Sequence, residues 1–448
     1  MDSASLLARH DRRLPRYTSY PTAPLFDAGV DTETVRAWLG AIPPGIAASL
    51  YLHVPFCKSL CWFCGCSTSV VRSVGALEHY AQALQSEMAR VARHAGHRLA
   101  VRQIHWGGGT PTALPAPLMQ AVTSALHRHF DIDAATEIAI EIDPRTVPPA
   151  DELRALGITR ASLGVQDFAE EVQAAIGRHQ SFEQTRAAAD AAREAGARSI
   201  NLDLVYGLPH QSVASLERTI EAALELAPDR IALFGYAHVP WKEKRQQVLA
   251  ERALPGTEER FAQQERAAAM LVEAGYVRIG LDHFARPGDS LTQALVAGAV
   301  RRNFQGYTTD DSEVLIGLGA SAISRLPQGY AQNAHATAEY LAAIDAGGLA
   351  TRRGRALAGE DRLRGQIIER IMCDLAVDVG GLAAASGVGL ERFDGSWPVL
   401  DRLAADGLVV RDGARLTVPE AARPFLRHVA GAFDAYLDPQ ALRHSAAI

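Results

Sequence analysis

The sequence predicts an α/β protein: a parallel (β/α) barrel of six units, incomplete, followed by a mainly helical, winged-helix-like domain. From about residue 48, short β-rich runs alternate with Ala-rich stretches that have helical spacing. Alternation of this kind produces parallel strands joined by right-handed crossovers. After about residue 355 the pattern changes. A third observation is that each predicted strand runs into a polar or glycine-rich motif, as expected at the functional end of a barrel.

Six strands carry the barrel prediction. They are Ala48–His53, Val101–Trp106, Glu137–Ile142, Arg160–Val165, Ser199–Val205 and Arg230–Phe234. Helices are expected between them, including one that starts at a Ser181 cap and stops at Gly196. A further helix over 257–274 leads into a single strand over 276–284. The expected domains are 1–47, 48–350 and 351–448.

The C-terminal domain is predicted from a helical stretch, "EDRLRGQIIERIMCDLAVD", and from the segment that starts at Trp397. That segment has the pattern helix, strand, tight turn at Asp412-Gly413, strand, helix, which is typical of a winged helix. The chain is acidic and this segment has no basic stripe, so packing or a lid role is favoured over DNA binding.

The bulk composition excludes several classes of protein. The 448 residues carry a net charge of −6, which argues against a general binder of nucleic acid or acidic lipid. There is no apolar run of about 18 residues that would span a membrane. The first residues show no signal peptide, so we expect a cytoplasmic protein. In a reducing compartment, clustered cysteines favour metal binding or redox chemistry over disulfides.

Four of the five cysteines lie within ten positions: Cys57, Cys61, Cys64 and Cys66. The C-x3-C-x2-C spacing favours an iron–sulfur cluster with three thiolate ligands. Three ligands on a four-iron cube leave one iron open to a small molecule with an amine and a carboxylate. Structural zinc on all four thiols is the alternative, although the spacing is too tight for a typical zinc finger. A thioredoxin-like redox pair is favoured less.

The ends of the other strands add polar groups and glycines that would meet at one mouth. They are "WGGGTPT", Glu141 and Asp143 in "IEIDP", Gln166 in "GVQDF", Asp203 in "NLDLVYGLP", and "GYAHVP". Each has an ordinary structural alternative: a tight turn for the glycines, a helix cap or ion pair for the carboxylates, and surface polarity for Gln166 and Arg178. Cys373 lies in an apolar helix and is interpreted as a core residue.

Taken together, the motifs resemble a known family. The Cys57–Cys66 pattern resembles the radical S-adenosylmethionine (SAM) superfamily. With "PRYTSYPTA", "HWGGGTPT", "GVQDF", "NLDLVYGLP", "YAHVP", "GLDHFARP", "RNFQGYTT" and "GLGASAIS", the chain is identified as resembling the oxygen-independent coproporphyrinogen III oxidase (dehydrogenase) family. The resemblance runs from about residue 9 to the C-terminus.

The resemblance implies an incomplete (β/α)6 radical SAM barrel with N-terminal and C-terminal extensions, in a cytoplasmic monomer. It implies a [4Fe-4S] cluster on Cys57, Cys61 and Cys64, one SAM on the open iron, and a second SAM nearby. Cys66 matches a cysteine needed for activity that is not a cluster ligand. The matching SAM-contact positions are Tyr51, Phe63, Gly108 and Glu141 for the first SAM, and Gly109, Thr110, Gln166, Arg178, Asp203, Ala237 and Ile323 for one SAM or the other.

The implied reaction converts two propionates of coproporphyrinogen III to vinyls, with a reductant of flavodoxin or ferredoxin type and with no nucleic-acid or membrane partner. Because the substrate carries four carboxylates, Arg16, Arg286, Arg301 and Arg302 are candidate anchors, with ordinary surface arginine as the alternative. A haem chaperone of the same superfamily is the nearest rival function. A zinc-stabilised scaffold or transcription factor is a rival from a different class.

Overall fold

The computed structural model describes residues 3–10 and 12–437, except for the side chains of residues 3–5. Its strands, in chain order, are β1 (Ala48–Val54), β2 (Phe56–Cys57), β3 (Ser69–Val70), β4 (Val101–Gly108), β5 (Glu137–Ile142), β6 (Arg160–Gln166), β7 (Ser199–Tyr206), β8 (Arg230–Gly235), β9 (Val277–Ile279), β10 (His283–Ala285), β11 (Arg301–Asn303), β12 (Gly306–Thr308), β13 (Val314–Leu318), β14 (Ile323–Leu326), β15 (Gly329–Asn333), β16 (Thr351–Ala356), β17 (Ala376–Asp378), β18 (Val410–Asp412) and β19 (Arg415–Thr417).

The α-helices of the same residues are α1 (Ser3–His10), α2 (Thr32–Gly40), α3 (Val74–Ala95), α4 (Ala116–His129), α5 (Ala150–Ala155), α6 (Glu170–Ala175), α7 (Phe182–Ala195), α8 (Val213–Glu225), α9 (Thr257–Glu273), α10 (Ser290–Val296), α11 (Thr337–Asp345), α12 (Asp361–Asp374), α13 (Val379–Ala385), α14 (Trp397–Ala405) and α15 (Leu426–Gly431). Short 3-10 helices cover Ala23–Leu25, Pro111–Ala113, Pro144–Thr146, Lys244–Val248, Glu251–Ala253, Leu390–Phe393 and Glu420–Phe425.

Twelve strands form one sheet, in the order β16-β15-β14-β13-β1-β4-β5-β6-β7-β8-β10-β9. The seven strands from β13 to β8 are parallel, and antiparallel strands extend the sheet at both ends. The six predicted barrel strands are confirmed. The seventh parallel strand, β13, was not predicted. Because the sheet order has two ends, the barrel is incomplete, and the carboxyl ends of its parallel strands face one mouth.

Local sequence explains the main elements. All but one residue of β1 are buried, as expected for a parallel strand that is covered on both faces. Helix α7 begins with the predicted Ser181, which forms a capping box with Gln184, and it ends at Gly196 in the left-handed conformation. Both predicted boundaries are therefore confirmed.

The prediction of one strand over 276–284 is wrong. The chain forms two short strands, β9 and β10, which pair antiparallel with each other, and β10 also pairs antiparallel with β8. At the turn between them, the backbone N–H of Leu281 donates to the hydroxyl of Tyr307 at 3.0 Å. The backbone carbonyl of Asp282 accepts from the N–H of Leu233 at 2.7 Å. The turn therefore places Asp282 beside the carboxyl half of β8.

The C-terminal domain has the predicted winged-helix-like order. Helix α14 is followed by the hairpin β18–β19, and β17 completes a three-stranded sheet in the order β17-β19-β18. Its core contains Ile367, Leu400 and Phe433, and the N-terminal residues Leu14 and Tyr17 pack into the same core. The N-terminal segment is thus attached to this domain.

The large sheet continues beyond residue 350, because β16 pairs with β15. Among the described residues, no helix combines the length and the apolar character needed to cross a membrane.

Candidate active site

The loop with the four cysteines is fixed at its base and along its length. Strand β2 leads into the loop and pairs with β3, which closes it. The backbone N–H of Trp62 donates to the carbonyl of Ile176 at 2.9 Å, and the side chain of Gln246 donates to the carbonyl of Phe63 at 2.8 Å. Elements from both sides of the mouth therefore hold the loop.

All four predicted cysteines of this loop line one cavity of about 450 Å³ at the carboxyl end of the parallel strands. We call it the active-site cavity. Its walls include the other predicted residues Phe63, Gly108, Gly109, Thr110, Glu141, Gln166, Arg178, Asp203 and Ala237, together with Arg16. The convergence of the strand ends that the sequence indicated is thus present in the fold.

Cationic and neutral donors surround the thiols. The guanidinium groups of Arg178 and Arg145 lie 3.4 and 3.5 Å from the sulfur of Cys61. The hydroxyl of Thr110 lies 3.8 Å from the sulfur of Cys57. Positive charge next to a cysteine favours the thiolate, which is the form that binds metal. Cys61 therefore has two cationic donors within reach of its sulfur.

Asp143 ties the two arginines together. It lies 2.6 Å from Arg145 and 3.2 Å from Arg178. Burial disfavours its ionised form, but the hydrogen bond and charge of Arg145 and the charge of Arg178 outweigh burial and lower the pKa of Asp143. A charged carboxylate therefore fixes both guanidinium groups against the cysteine loop.

Cys64 and Cys66 interact directly. The backbone N–H of Cys66 donates to the sulfur of Cys64 at 3.3 Å. A side-chain hydrogen bond between the two thiols lowers the pKa of Cys64 to about 6 and raises that of Cys66. Of this pair, Cys64 is the better thiolate ligand and Cys66 the better proton carrier.

The four thiols are not arranged for a single ion. Within the described part of the chain, no three His, Cys, Asp or Glu side chains converge closely enough to hold one metal ion. A tetrahedral zinc site would need such convergence. Separated thiols around an open cavity fit the larger iron–sulfur cube better.

The glycine loop after β4 allows close contact with the cysteine loop. Gly108 has φ +115°, and a Cβ there would lie 2.8 Å from the carbonyl oxygen of Val54. A Cβ on Gly109 would lie 2.9 Å from the sulfur of Cys57. The N–H of Gly109 donates to the carbonyl of Val54 at 2.9 Å. Any larger residue would push this backbone away from the cavity.

Two carboxylates face the cavity from β5 and β7. Glu141 accepts from the N–H of Gly108 at 3.1 Å and lies 3.0 Å from Nε2 of His105, so its predicted ion-pair alternative is also present. Asp203 accepts from the hydroxyl of Ser162 at 2.9 Å. Burial and the charge of Glu141 raise the pKa of Asp203 to about 6. Two acids of like charge suit a cationic or hydroxyl-rich ligand.

Two predicted contact residues do not line the cavity. Tyr51 lies behind it, where its ring stacks on His105 at 5.8 Å and its hydroxyl lies 3.0 Å from Nδ1 of His53. Ile323 lies on β14 against Gly317, which is the ladder partner of Tyr51. Tyr51 on β1 and Ile323 on β14 therefore lie on neighbouring strands outside the cavity lining.

The four candidate substrate arginines separate into three groups. Arg16 lines the cavity, and Arg302 is buried behind it. Arg301 is half-exposed and ion-paired to Glu369 at 3.2 Å, outside the cavity. Arg286 was predicted wrongly as an anchor: its backbone N–H donates to the carbonyl of Asp229, directly before β8 begins, so it lies at the amino end of the strands.

The chain can now be compared with known proteins. A model of the radical SAM superfamily matches residues 51–223, and a model described as the HemN C-terminal domain matches residues 357–425. An oxygen-independent coproporphyrinogen III oxidase from Bradyrhizobium diazoefficiens is 50% identical over 440 residues, which cover 98% of each chain. The chain belongs to the oxygen-independent coproporphyrinogen III oxidase family. A relative of the same description from Paracoccus denitrificans is 46% identical and covers 100% of both chains.

The fold agrees with this family. The solved structure of coproporphyrinogen III oxidase from Escherichia coli, a radical SAM enzyme, has a TM-score of 0.91 and 37% identity, with 97% of this chain and 99% of that chain covered. This chain is accordingly a radical SAM oxidoreductase with a [4Fe-4S] cluster and SAM as cofactors. The residues of the active-site cavity fit these cofactors. The thiols lie next to arginine donors, and carboxylates and a closely approaching glycine backbone line the same cavity.

Some functional residues were not predicted. Arg145, in the "IDPRT" stretch at the end of β5, stands directly after Asp143 and Pro144 and is not among the predicted residues. Arg245 donates to the hydroxyl of Thr68 at 2.9 Å and supports the cysteine loop from a segment 177 residues away. His105 faces Glu141 from the neighbouring strand β4. Of these three residues, Arg145 directly follows the predicted motif "IEIDP" and His105 begins "HWGGGTPT". These positions in the sequence were the signal by which both could have been predicted.

Proposed function

We propose that this chain catalyses the oxygen-independent oxidative decarboxylation of two propionate side chains of coproporphyrinogen III to vinyls. The product would be protoporphyrinogen IX, in haem biosynthesis. The observation that carries the proposal is a single cavity, lined by the cysteine loop, by Glu141 and Asp203, and by Arg16, in a chain that matches this family over its whole length. We also propose a cytoplasmic monomer that takes its electrons from a flavodoxin- or ferredoxin-type donor.

The roles of the cysteines follow from their surroundings. Cys57, Cys61 and Cys64 would hold the cluster, and Arg145 and Arg178 would donate to the sulfur of Cys61. Cys66, which keeps its proton because it donates to Cys64, would remain a thiol that faces the cavity. A thiol in that position is placed to exchange a hydrogen or a proton with the bound substrate.

The walls of the cavity would hold SAM. Glu141 is fixed by Gly108 and His105, so it is oriented towards an ammonium group, and the glycine backbone permits close approach of the ligand. Asp203, opposite, would accept from ribose hydroxyls. Phe63 would present its apolar ring to SAM. Tyr51 and Ile323 would stabilise the strands next to the cavity. We propose that a second SAM binds nearby, and that Gly109, Thr110, Gln166, Arg178, Asp203, Ala237 and Ile323 contact one SAM or the other.

The protein contributes positioning and exclusion of water. When bound, the cluster and SAM supply 5′-deoxyadenosyl radical chemistry, in which a hydrogen atom leaves the β carbon of a propionate and CO2 and one electron follow. The N-terminal segment reaches the mouth through Arg16, whose guanidinium donates to the carbonyl of Gly235 at 2.8 Å. The same segment packs on the C-terminal domain, so both would cover the cavity during the reaction.

The proposal is tested by an oxygen-free assay with SAM, a reductant and coproporphyrinogen III. We expect two 5′-deoxyadenosine and two CO2 for each protoporphyrinogen IX that forms. Tight stoichiometric binding of haem, with no turnover of coproporphyrinogen III, would favour the rival haem chaperone. Zinc without iron or sulfide after anaerobic purification would favour the scaffold.

A further inference from the structure

A small, positively charged pocket opens beside the active-site cavity. Four arginines line it together with one carboxylate, and Gly235 and Tyr236 lie in its wall; the charged residues are Arg16, Arg260, Arg302, Arg427 and Asp282. We call it the arginine pocket. Its volume is about 30 Å³. Arg16, Gly235 and Tyr236 line both this pocket and the active-site cavity, so the two lie next to each other.

Backbone carbonyls hold the guanidinium groups in place. Arg16 donates to the carbonyl of Gly235 at 2.8 Å, and Arg260 donates to the carbonyl of Tyr236 at 3.0 Å. Arg302 donates through two nitrogens to the carbonyl of Arg16, each at 3.3 Å. Neutral acceptors fix the position of an arginine without neutralising it. These three side chains therefore retain their positive charge inside the pocket.

The described residues supply too little negative charge to balance them. Asp282 is the one carboxylate among the residues that line the arginine pocket, and its Oδ1 lies 3.8 Å from Nη1 of Arg302. Arg302 is 7% exposed, yet this Nη1 has no hydrogen-bond partner, and neither has Nε of Arg260. Buried cationic donors without partners are costly, so the arrangement favours an added anion.

The electrostatic field of the pocket agrees with an excess of positive charge. Burial disfavours ionisation of Asp282, yet Arg302 and His283 outweigh it and lower the pKa of Asp282 to about 2. Burial and the charge of Arg16 lower the pKa of Arg427 to about 10. Both shifts indicate that a further negative charge would be stabilised in this place.

We propose that the arginine pocket binds a carboxylate of a propionate that is not the one reacting, and so sets which propionate reaches the radical. The inference rests on the proposed function. A volume of about 30 Å³ admits one carboxylate group and excludes a nucleoside or a macrocycle. A guanidinium fork matches a carboxylate in shape and charge. Because Arg16, Gly235 and Tyr236 line both spaces, one tetracarboxylate substrate in the active-site cavity can direct a second carboxylate towards the arginine pocket.

The test measures affinity separately from chemistry. Coproporphyrin III, the oxidised form that does not turn over, is titrated into the loaded enzyme without reductant, and its dissociation constant is compared between variants. Arg260→Gln removes one charged donor, and we expect binding to weaken at least about tenfold. Arg260→Lys, which keeps the charge, should recover part of the loss. SAM affinity should stay within about twofold in both.

Arg266→Gln is the matched control, because Arg266 lies on the same helix, α9, is half-exposed, and pairs with Glu217 outside the pocket. It should bind coproporphyrin III like the parent protein. If Arg260→Gln binds within twofold of the parent, the pocket assignment is wrong while the proposed function stands. If Arg260→Gln does not fold, Arg260→Lys decides: unchanged affinity together with an unchanged KM overturns the assignment. Failure of the parent protein to bind the porphyrin would instead overturn the proposed function.

Discussion

The two ends of the same seven parallel strands handle charge in opposite ways. At the amino end, opposite charges pair and are closed off: Arg230 lies 2.7 Å from Asp289, and their side chains are 4% and 5% exposed. At the carboxyl end, the buried group of Asp143 with Arg145 and Arg178 is joined by two collections of like charge. Glu141 and Asp203 share one cavity, and three arginines with neutral anchors share the arginine pocket.

The difference separates stability from chemistry within one sheet. The ion pairs at the amino end need no ligand to balance their charges. Their loss should therefore lower the free energy of unfolding and leave turnover unchanged. Groups at the carboxyl end are completed by the cluster, SAM or substrate, so their loss should reduce turnover without lowering the free energy of unfolding. The comparison fails if a change at one end produces the signature of the other.

The largest effect is expected at the cysteine loop. Cys61→Ser should abolish turnover and lower the iron and sulfide content, because the cluster loses a ligand. The metal-free protein should unfold within about 1 kcal/mol of the parent, since serine is close to cysteine in size and its hydroxyl can accept from Arg145 and Arg178. Cys66→Ser should keep iron, sulfide and the cluster spectrum but still lose turnover. Iron analysis, absorption spectra and denaturant unfolding measure these quantities.

Cys373→Ser is the control for these two changes. Cys373 is fully buried among Ile279, Leu291, Val300 and Tyr307 and does not line the active-site cavity. A hydroxyl without a designed partner should reduce the free energy of unfolding by about 1–3 kcal/mol, with the cluster retained. A colourless Cys66→Ser variant would mean that Cys66 is a cluster ligand.

At the amino end, Arg230→Met should reduce the free energy of unfolding by about 3–5 kcal/mol, because it leaves the buried carboxylate of Asp289 without its charge partner. The KM for SAM and the cluster content should be unchanged. Arg102→Met on β4 is the matched control, because the side chains of Arg102 and its partner Asp311 are 60% and 57% exposed. This variant should lose less than about 1 kcal/mol of the free energy of unfolding. Equal costs in the two variants would contradict the role given to burial.

The barrel was predictable because its strands carry local signals. Continuous apolar runs such as β1 and caps such as Ser181 identify elements without knowledge of their neighbours. Strand β13 is not predicted, because its short apolar run passes directly into the glycine-rich motif that starts at Gly317. The break at β9–β10 depends on Tyr307, which is distant in sequence and binds the turn at Leu281. Local pattern alone does not contain that contact.

The site shows the same division. Residues at strand ends were predictable, because parallel topology brings those ends together whatever the side chains. The arginine pocket was predicted only through Arg16 and Arg302. Arg260 comes from the first turn of α9, and Asp282 reaches the pocket only through the turn that was predicted as continuous strand. Their convergence depends on tertiary packing, which the spacing in the sequence does not encode.

The smallest effect on function is expected at Asp203. There, a substitution that weakens SAM binding should stabilise the folded protein. Burial and the charge of Glu141 raise the pKa of Asp203 to about 6, so the folded protein binds this proton more tightly than the unfolded chain does. The associated stability is present at pH 4 and is lost as the pH rises through 6. Asp203→Asn removes the charge, and we expect the variant to be more stable than the parent by about 1–3 kcal/mol at pH 7. The gain should vanish at pH 4, and SAM should bind more weakly, which denaturant unfolding at both pH values and a SAM titration measure. If the variant is less stable than the parent at pH 7, Asp203 stabilises the fold as the ion pairs at the amino end do. The comparison between the two ends of the strands would then be wrong.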